Sequence, residues 1–163
     1  MAKNKEEKTN LMRVLEQKKI AYSAHTYPHE EGVAVDGVTV AQSMGFDPAA
    51  VFKTLVARGA SKQYYVFDVP VAENLDLKKA AKAVGEKSIE MIHQKELLPL
   101  TGYVHGGCSP VGMKKLFPTV IDDSAENLET MIVSAGKIGY QVELAPRDLA
   151  ALVRAKFADI LVE

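Results

Sequence analysis

Two β-rich runs, Val51 to Arg58 and Tyr64 to Val69, stand a short connection apart, and they constrain the fold more than any other stretch of the chain. Branched and aromatic side chains fill both runs. Gly59-Ala60-Ser61-Lys62-Gln63 between them supplies turn residues, so the pair reads as a β-hairpin. Pro70 stops it, because proline lacks the N–H that a strand ladder requires.

Other elements follow from periodicity and punctuation. Leu11, Val14 and Leu15 recur at helical spacing behind a Thr9/Asn10 cap, which predicts a first helix to about Lys19. Ile20, Tyr22 and Ala24 alternate as a strand ending near Tyr27. After the irregular Pro28-His29-Glu30-Glu31-Gly32, a helix through Val40, Ala41 and Met44 is expected to end at Gly45 in the left-handed conformation. Asp76 caps a helix holding Leu77, Ala80, Ala81 and Val84, closed by Gly85. Lys78, Lys79 and Lys82 give that helix a basic face. Ile89 and Met91 suggest a short strand and His93 to Leu98 a helical turn. Thr119 to Ile121, Met131 to Ser134 and Tyr140 to Leu144 read as strands, and Pro146 opens a last helix through Leu149, Leu152 and Val153. Strands outnumber helices and several are hairpin-linked, so the class is α+β with a mixed, strongly twisted sheet. No repeat or linker divides the chain, so residues 1–163 are expected to form one domain, with 1–8 flexible.

Bulk properties exclude several function classes. With 47% hydrophobic and 25% charged residues the chain is an ordinary globular composition. Its 20 Lys and Arg against 21 Asp and Glu give a net charge of -1, so any contact with a polyanion must be local. One cysteine, Cys108, allows no internal disulfide and no cysteine-rich zinc site. No apolar run is long enough to span a membrane, and the lysine-rich start is no secretory signal, so a cytoplasmic protein is expected. His25, His29, His93 and His105 lack metal-ligand spacing, and the expected site contains no metal and no cofactor.

The least regular segment runs from Gly102 to Gly112. Its adjacent glycines Gly106 and Gly107 allow backbone N–H groups to approach a ligand closely, although a plain turn has the same composition. Neither the Walker nor the dinucleotide-binding spacing is present. A second small-residue turn, Ser134-Ala135-Gly136-Lys137, follows a strand and could face the first. Lys53, alone in Val51-Phe52-Lys53-Thr54-Leu55-Val56, supports only a strand lysine whose stem lies along the sheet with its head in water. Asp36, Asp68 and Glu143 have no spacing that marks an acid/base pair. For Cys108, with His105 three residues earlier, the bland reading is a small buried apolar group, since neither a depressed pKa nor a base within reach follows from sequence.

Taken in order, His25-Thr26-Tyr27, Val51 to Leu55, Leu75 to Ala81, Gly102-Tyr103 through Gly112, Pro118 to Asp122, Val133 to Lys137, Val142-Glu143-Leu144 and Lys156 to Asp159 resemble the YbaK-type aminoacyl-tRNA deacylases, relatives of the editing domain inserted in bacterial prolyl-tRNA synthetases. The resemblance covers nearly the whole chain and implies a barrel-like sheet flanked by helices. It also implies a monomer that deacylates tRNA(Pro) mischarged with cysteine or another small amino acid, beside prolyl-tRNA synthetase, with no role for DNA or a membrane. By position, Lys53 looks like the family's essential lysine at the acceptor end. Gly106 to Pro110 looks like its GxxxP loop, so Gly106 and Gly107 would donate amides to the ester while Cys108, Ser109 and Pro110 shape the substrate site. Tyr27, Ser134, Gly136 and Lys137 fall where other functional residues of the family lie. Gln141 departs from the aspartate of a well-studied member and cannot act as a general base.

An aminoacyl ester is already activated, so positioning plus backbone stabilisation of the oxyanion suffices without metal or protein nucleophile. In the family mechanism the substrate's own thiol attacks the carbonyl and a cyclic thioester leaves. Two other readings remain open: a non-catalytic module that binds an aminoacyl-tRNA end or regulates a synthetase, and a hydrolase that uses Cys108. Lys78, Lys79 and Lys82, with Lys114 and Lys115, are the expected phosphate contacts.

Overall fold

The computed structural model describes residues 8–163. The flexible stretch expected at 1–8 therefore lies outside the described residues except for Lys8, whose Nζ is 3.0 Å from the Glu16 carboxylate. Five α-helices and eight strands follow in the order α1 (Asn10–Gln17), β1 (Ser23–Thr26), α2 (Gly37–Met44), β2 (Phe52–Gly59), β3 (Tyr64–Pro70), α3 (Leu77–Val84), β4 (Ile89–Met91), α4 (Gln94–Thr101), β5 (Thr119–Asp122), β6 (Met131–Ser134), β7 (Tyr140–Leu144), α5 (Pro146–Val153) and β8 (Lys156–Ala158).

Capping residues set the helix ends, Asp76, Gly45 and Gly85 as expected and Asp36 in addition. Asp36 and Asp76 accept from the first-turn amides of α2 and α3, while Gly45 and Gly85 end those helices at φ 78° and 76°. β8 has no counterpart among the expected strands. It is three residues long and gains its ladder only by lying parallel to β5, with Phe157 beside Ile121.

The α+β class holds, and the mixed sheet is the five-stranded one, ordered β4-β2-β3-β5-β8. β2 pairs antiparallel with β3 and β4, whereas β5 joins β3 and β8 in parallel. A second, antiparallel sheet of three strands, β1-β7-β6, adjoins it through a single parallel bridge between Val51 and Ile132. Among the described residues the strands thus form two open sheets rather than a closed barrel.

Helices cover both sheets. Leu11 and Leu15 of α1 and Leu149 and Val153 of α5 pack on Met131, Val133, Val142 and Leu144 of the smaller sheet. Ala80 and Ala81 of α3 press on Ala57, Tyr65, Phe67 and Val69. Leu97 of α4, with Cys108 and Phe117, covers Val56 and Val66 on the other face of the same hairpin. β3 is therefore buried on both faces, and Phe67 at 0% exposure contributes about 2–3 kcal/mol by leaving water. No described helix is long and apolar enough to cross a membrane.

Candidate active site

A cavity of about 360 Å³ opens where the two sheets meet, between the start of β2, the first turn of α2 and the glycine-rich segment. Its wall includes Tyr27, Asp36, Lys53, Thr54, Leu97, His105, Gly106, Cys108, Ser134 and Gln141. Six expected residues converge there: Tyr27, Lys53, Gly106, Cys108, Ser134 and Gln141. Gly107, Ser109, Pro110, Gly136 and Lys137 lie outside the lining.

Lys53 is on an internal strand, its register partner being Val69 of β3. Burial pulls its pKa below the ordinary lysine value, while the negative charges of Asp36 and Glu73 act the other way. The ammonium makes no hydrogen bond or ion pair among the described residues. A partly buried cation with no acceptor is prepared for an anion from outside the chain.

The glycine-rich segment is wedged rather than loose. A Cβ on Gly106 would lie 2.7 Å from the Ala34 side chain, at a φ of +91° that favours glycine, and one on Gly107 would lie 3.1 Å from the Ile138 amide. The two small-residue turns therefore pack against each other. Tyr103 fastens them: its hydroxyl donates to the Val111 carbonyl at 2.5 Å, and its ring abuts Gly136. Within the segment the Gly107 amide donates to the Val104 carbonyl at 3.0 Å. That bond removes it from the expected pair of donors to an ester. The amides of Gly106 and Cys108 meet no acceptor among the described residues, and both residues line the cavity. Ser109, at 0% exposure, accepts instead from the Val111 amide.

The opposite wall is polar. Ser134 and Gln141 face each other across β6 and β7 and are 8% and 6% exposed. The Ser134 hydroxyl oxygen accepts from the Gly136 amide at 3.1 Å, while the Gln141 side-chain oxygen has no partner among the described residues. Lys137 lies with its ammonium 5.1 Å from the Tyr140 ring centre, outside the cavity.

Cys108 is 8% exposed, and burial, together with the charge of Asp68, pushes its thiol up to about 12. At neutral pH it is a thiol, which disfavours its use as a nucleophile. No group of His, Cys, Asp or Glu side chains among the described residues is arranged to hold a metal ion.

Sequence reasoning passed over Thr54 and set Asp68 aside for want of an acid/base spacing. The Thr54 hydroxyl donates to Asp68 at 2.6 Å, and Asp68 is 0% exposed directly behind the wall that Thr54 and Cys108 form. A carboxylate inside an apolar run was the available signal. The basic face of α3 does not border the cavity: Lys79 donates to Asp159 at 3.1 Å and to the Leu161 carbonyl at 2.8 Å. Lys114 bonds the Pro99 carbonyl and Lys115 stands over the Phe117 ring, so three of the five expected phosphate contacts have internal partners.

The scaffold is thus mixed α+β, with an open cavity lined by an ammonium and by two loop residues whose amides meet no acceptor among the described residues. Residues 32–152 match the aminoacyl-tRNA editing domain family, and the chain belongs to that family. It is 45% identical over 161 residues, 98% of both chains, to an Enterococcus faecalis (strain ATCC 700802 / V583) protein, EbsC, described as a proposed Cys-tRNA(Pro)/Cys-tRNA(Cys) deacylase. A proline–tRNA ligase of Shouchella clausii (strain KSM-K16) is 28% identical over 100 residues, 61% of this chain and 17% of the ligase. Among solved structures, a proposed trans-editing enzyme for prolyl-tRNA synthetase superposes with a TM-score of 0.80 at 25% identity, over 97% of this chain and all (100%) of the other. The fold is also that of hypothetical protein APE2540, with a TM-score of 0.83 at 19% identity over 94% of this chain and 100% of the other.

Proposed function

We propose that this chain is a trans-editing aminoacyl-tRNA deacylase that removes cysteine from mischarged tRNA(Pro), acting beside prolyl-tRNA synthetase. One observation carries the reading: around a cavity of about 360 Å³ stand a lysine ammonium, two amides and a glutamine oxygen that have no partner among the described residues.

Each group has a role in that chemistry. The Lys53 ammonium meets the terminal phosphate and ribose of the acceptor end. The Gly106 and Cys108 amides donate to the ester oxygen as negative charge develops on it, where fixed dipoles act most strongly. Gln141 and Ser134 receive the α-ammonium of the amino acid, and Tyr27, Leu97 and Cys108 limit the size of its side chain. The thiol of a bound cysteinyl ester attacks its own carbonyl, the bond to the ribose oxygen breaks, and a cyclic thioester leaves with the tRNA hydroxyl restored. Purified protein is expected to deacylate Cys-tRNA(Pro) and spare Pro-tRNA(Pro); failure to release any amino acid from tRNA would overturn the reading.

A further inference from the structure

The cavity's reacting groups include no obvious destination for the proton of an attacking thiol. Lys53 is a cation, Gln141 is an amide, and the buried Cys108 thiol keeps its own proton. One layer behind the wall stands Asp68. The β2–β3 register places it opposite Thr54, with Val56 and Val66 farther along the same sheet face beneath Leu97, Cys108 and Phe117. Oδ1 accepts from the Thr54 hydroxyl at 2.6 Å, while Oδ2 meets no donor among the described residues.

A carboxyl that only stabilises a fold looks different, and Asp122 supplies the comparison. It is 1% exposed, yet one oxygen accepts from the Ile160 amide and the other from the Ser124 amide, each at 3.1 Å. Among the described residues Asp68 has neither backbone donor nor cation. The groups packed on it are Thr54 from β2, the apolar register partner Ile121 from β5 and the neutral Cys108 thiol from the glycine-rich segment. Burial lifts its pKa to about 7, against a smaller downward pull from Thr54. It can therefore exchange a proton near neutral pH. Because the Thr54 hydroxyl donates inward to Asp68, its lone pairs are left as acceptors, and Thr54 itself lines the cavity.

We infer that Asp68, acting through the Thr54 hydroxyl, is the proton acceptor for the thiol of a cysteinyl ester bound in the cavity. The inference rests on the deacylase reading above. As the thiol proton passes to Thr54 Oγ1, the Thr54 proton passes to Asp68 Oδ1. The sulfur forms its bond to the carbonyl carbon, and the bond from that carbon to the ribose oxygen breaks. The ribose oxygen then takes the proton back along the same path, so none is consumed overall. Asp68 never touches the substrate; it positions and recharges Thr54, which does. The absence of a carboxylate at Gln141 is thereby made good from the opposite wall.

The test is the pH dependence of kcat/KM on Cys-tRNA(Pro), from pH 5.5 to 8.5, in the full-length chain. Wild type is expected to gain activity through about pH 7 and level off above it. Asp68→Asn, which keeps an acceptor but cannot take a proton, is expected to lose that rise and to fall about 100-fold at pH 8. Thr54→Val should do the same and Thr54→Ser should recover most of the rate. Combining Thr54→Val with Asp68→Asn should cost no more than either alone, because the two act as one unit. His105, an exposed imidazole in the cavity lining, is the control. A rise that survives Asp68→Asn and disappears in His105→Gln overturns the inference, as do independent, multiplying losses from Thr54 and Asp68. Should Asp68→Asn fail to fold, the Thr54→Val and Thr54→Ser pair decides. Wild-type protein that leaves Cys-tRNA(Pro) intact sinks the deacylase reading instead, and active wild type with an unaltered Asp68→Asn profile sinks this inference alone.

Discussion

Ser134 and Gln141 are direct cross-strand partners on β6 and β7, and together they form the polar wall of the cavity. Ser134 is engaged by the Gly136 amide, but the buried Gln141 oxygen has no donor among the described residues. An unpaired buried acceptor is costly in the empty protein and is relieved by a ligand that brings an N–H. Gln141→Leu should therefore raise KM for the charged tRNA about 10-fold, the equivalent of one good hydrogen bond, while leaving thermal stability equal or higher. An unchanged KM would remove Gln141 from substrate recognition.

The cysteine gives an opposite expectation. Its thiol is held near 12 by burial and by the neighbouring Asp68 charge, so almost no thiolate exists at pH 8. Cys108→Ala should keep turning over Cys-tRNA(Pro), with losses limited to the roughly 10-fold range expected of altered packing rather than the far larger loss of a nucleophile. Native protein should also resist thiol alkylation at pH 8 until it is unfolded. Complete inactivation by Cys108→Ala, with the fold intact by circular dichroism, would restore the nucleophile reading.

In the glycine-rich segment, backbone geometry is the point of attack. Gly106 has a φ of +91° and its missing Cβ would lie 2.7 Å from Ala34. Gly106→Ala must strain or displace the loop, so it should lower stability by about 1–3 kcal/mol and reduce deacylation along with it. Chemical denaturation beside the activity assay measures both, and a fully active, equally stable Gly106→Ala would show that the amide's position is unimportant.

Asp68 also predicts a pH dependence of stability. Its pKa rises from 3.8 to about 7 on folding, so between those values the folded chain binds more protons than the unfolded one. Stability should fall as pH climbs from about 4 to 7 and level off above, by up to about 4 kcal/mol at roughly 1.4 kcal/mol per pKa unit. Asp68→Val removes the buried carboxyl, and its melting temperature at pH 8 should exceed that of wild type, with the difference shrinking near pH 4. Identical slopes for the two proteins would place the proton elsewhere.

Local signals made much of the fold legible. The β2–β3 hairpin announced itself by composition, α2 by its stop at Gly45, and α3 by its cap at Asp76 and stop at Gly85, all of which the structure uses. What stayed hidden was pairing between distant residues. β8 is too short to carry a pattern and becomes a strand only because β5 lies beside it. Lys79 looked like part of a free basic face, yet its partners Asp159, Leu161 and Glu163 come from the far end of the chain. Thr54 and Asp68 are 14 residues apart, a separation that means nothing until the hairpin register brings them together. Lys53, Gly106, Ser134 and Gln141, which line the cavity, were legible as candidates through family resemblance, since no single segment around them has a composition that demands function.

The most direct test is single-turnover deacylation of Cys-tRNA(Pro), Ala-tRNA(Pro) and Pro-tRNA(Pro) by wild-type protein and Lys53→Ala. Lys53 is the one lysine in the cavity lining and has no partner among the described residues, and in the proposed function its loss removes both charge and positioning at the acceptor end. Wild type should release cysteine while sparing proline, and Lys53→Ala should be slower by about 100-fold or more. Equal rates for the two proteins, or no release of cysteine by wild type, would contradict the account.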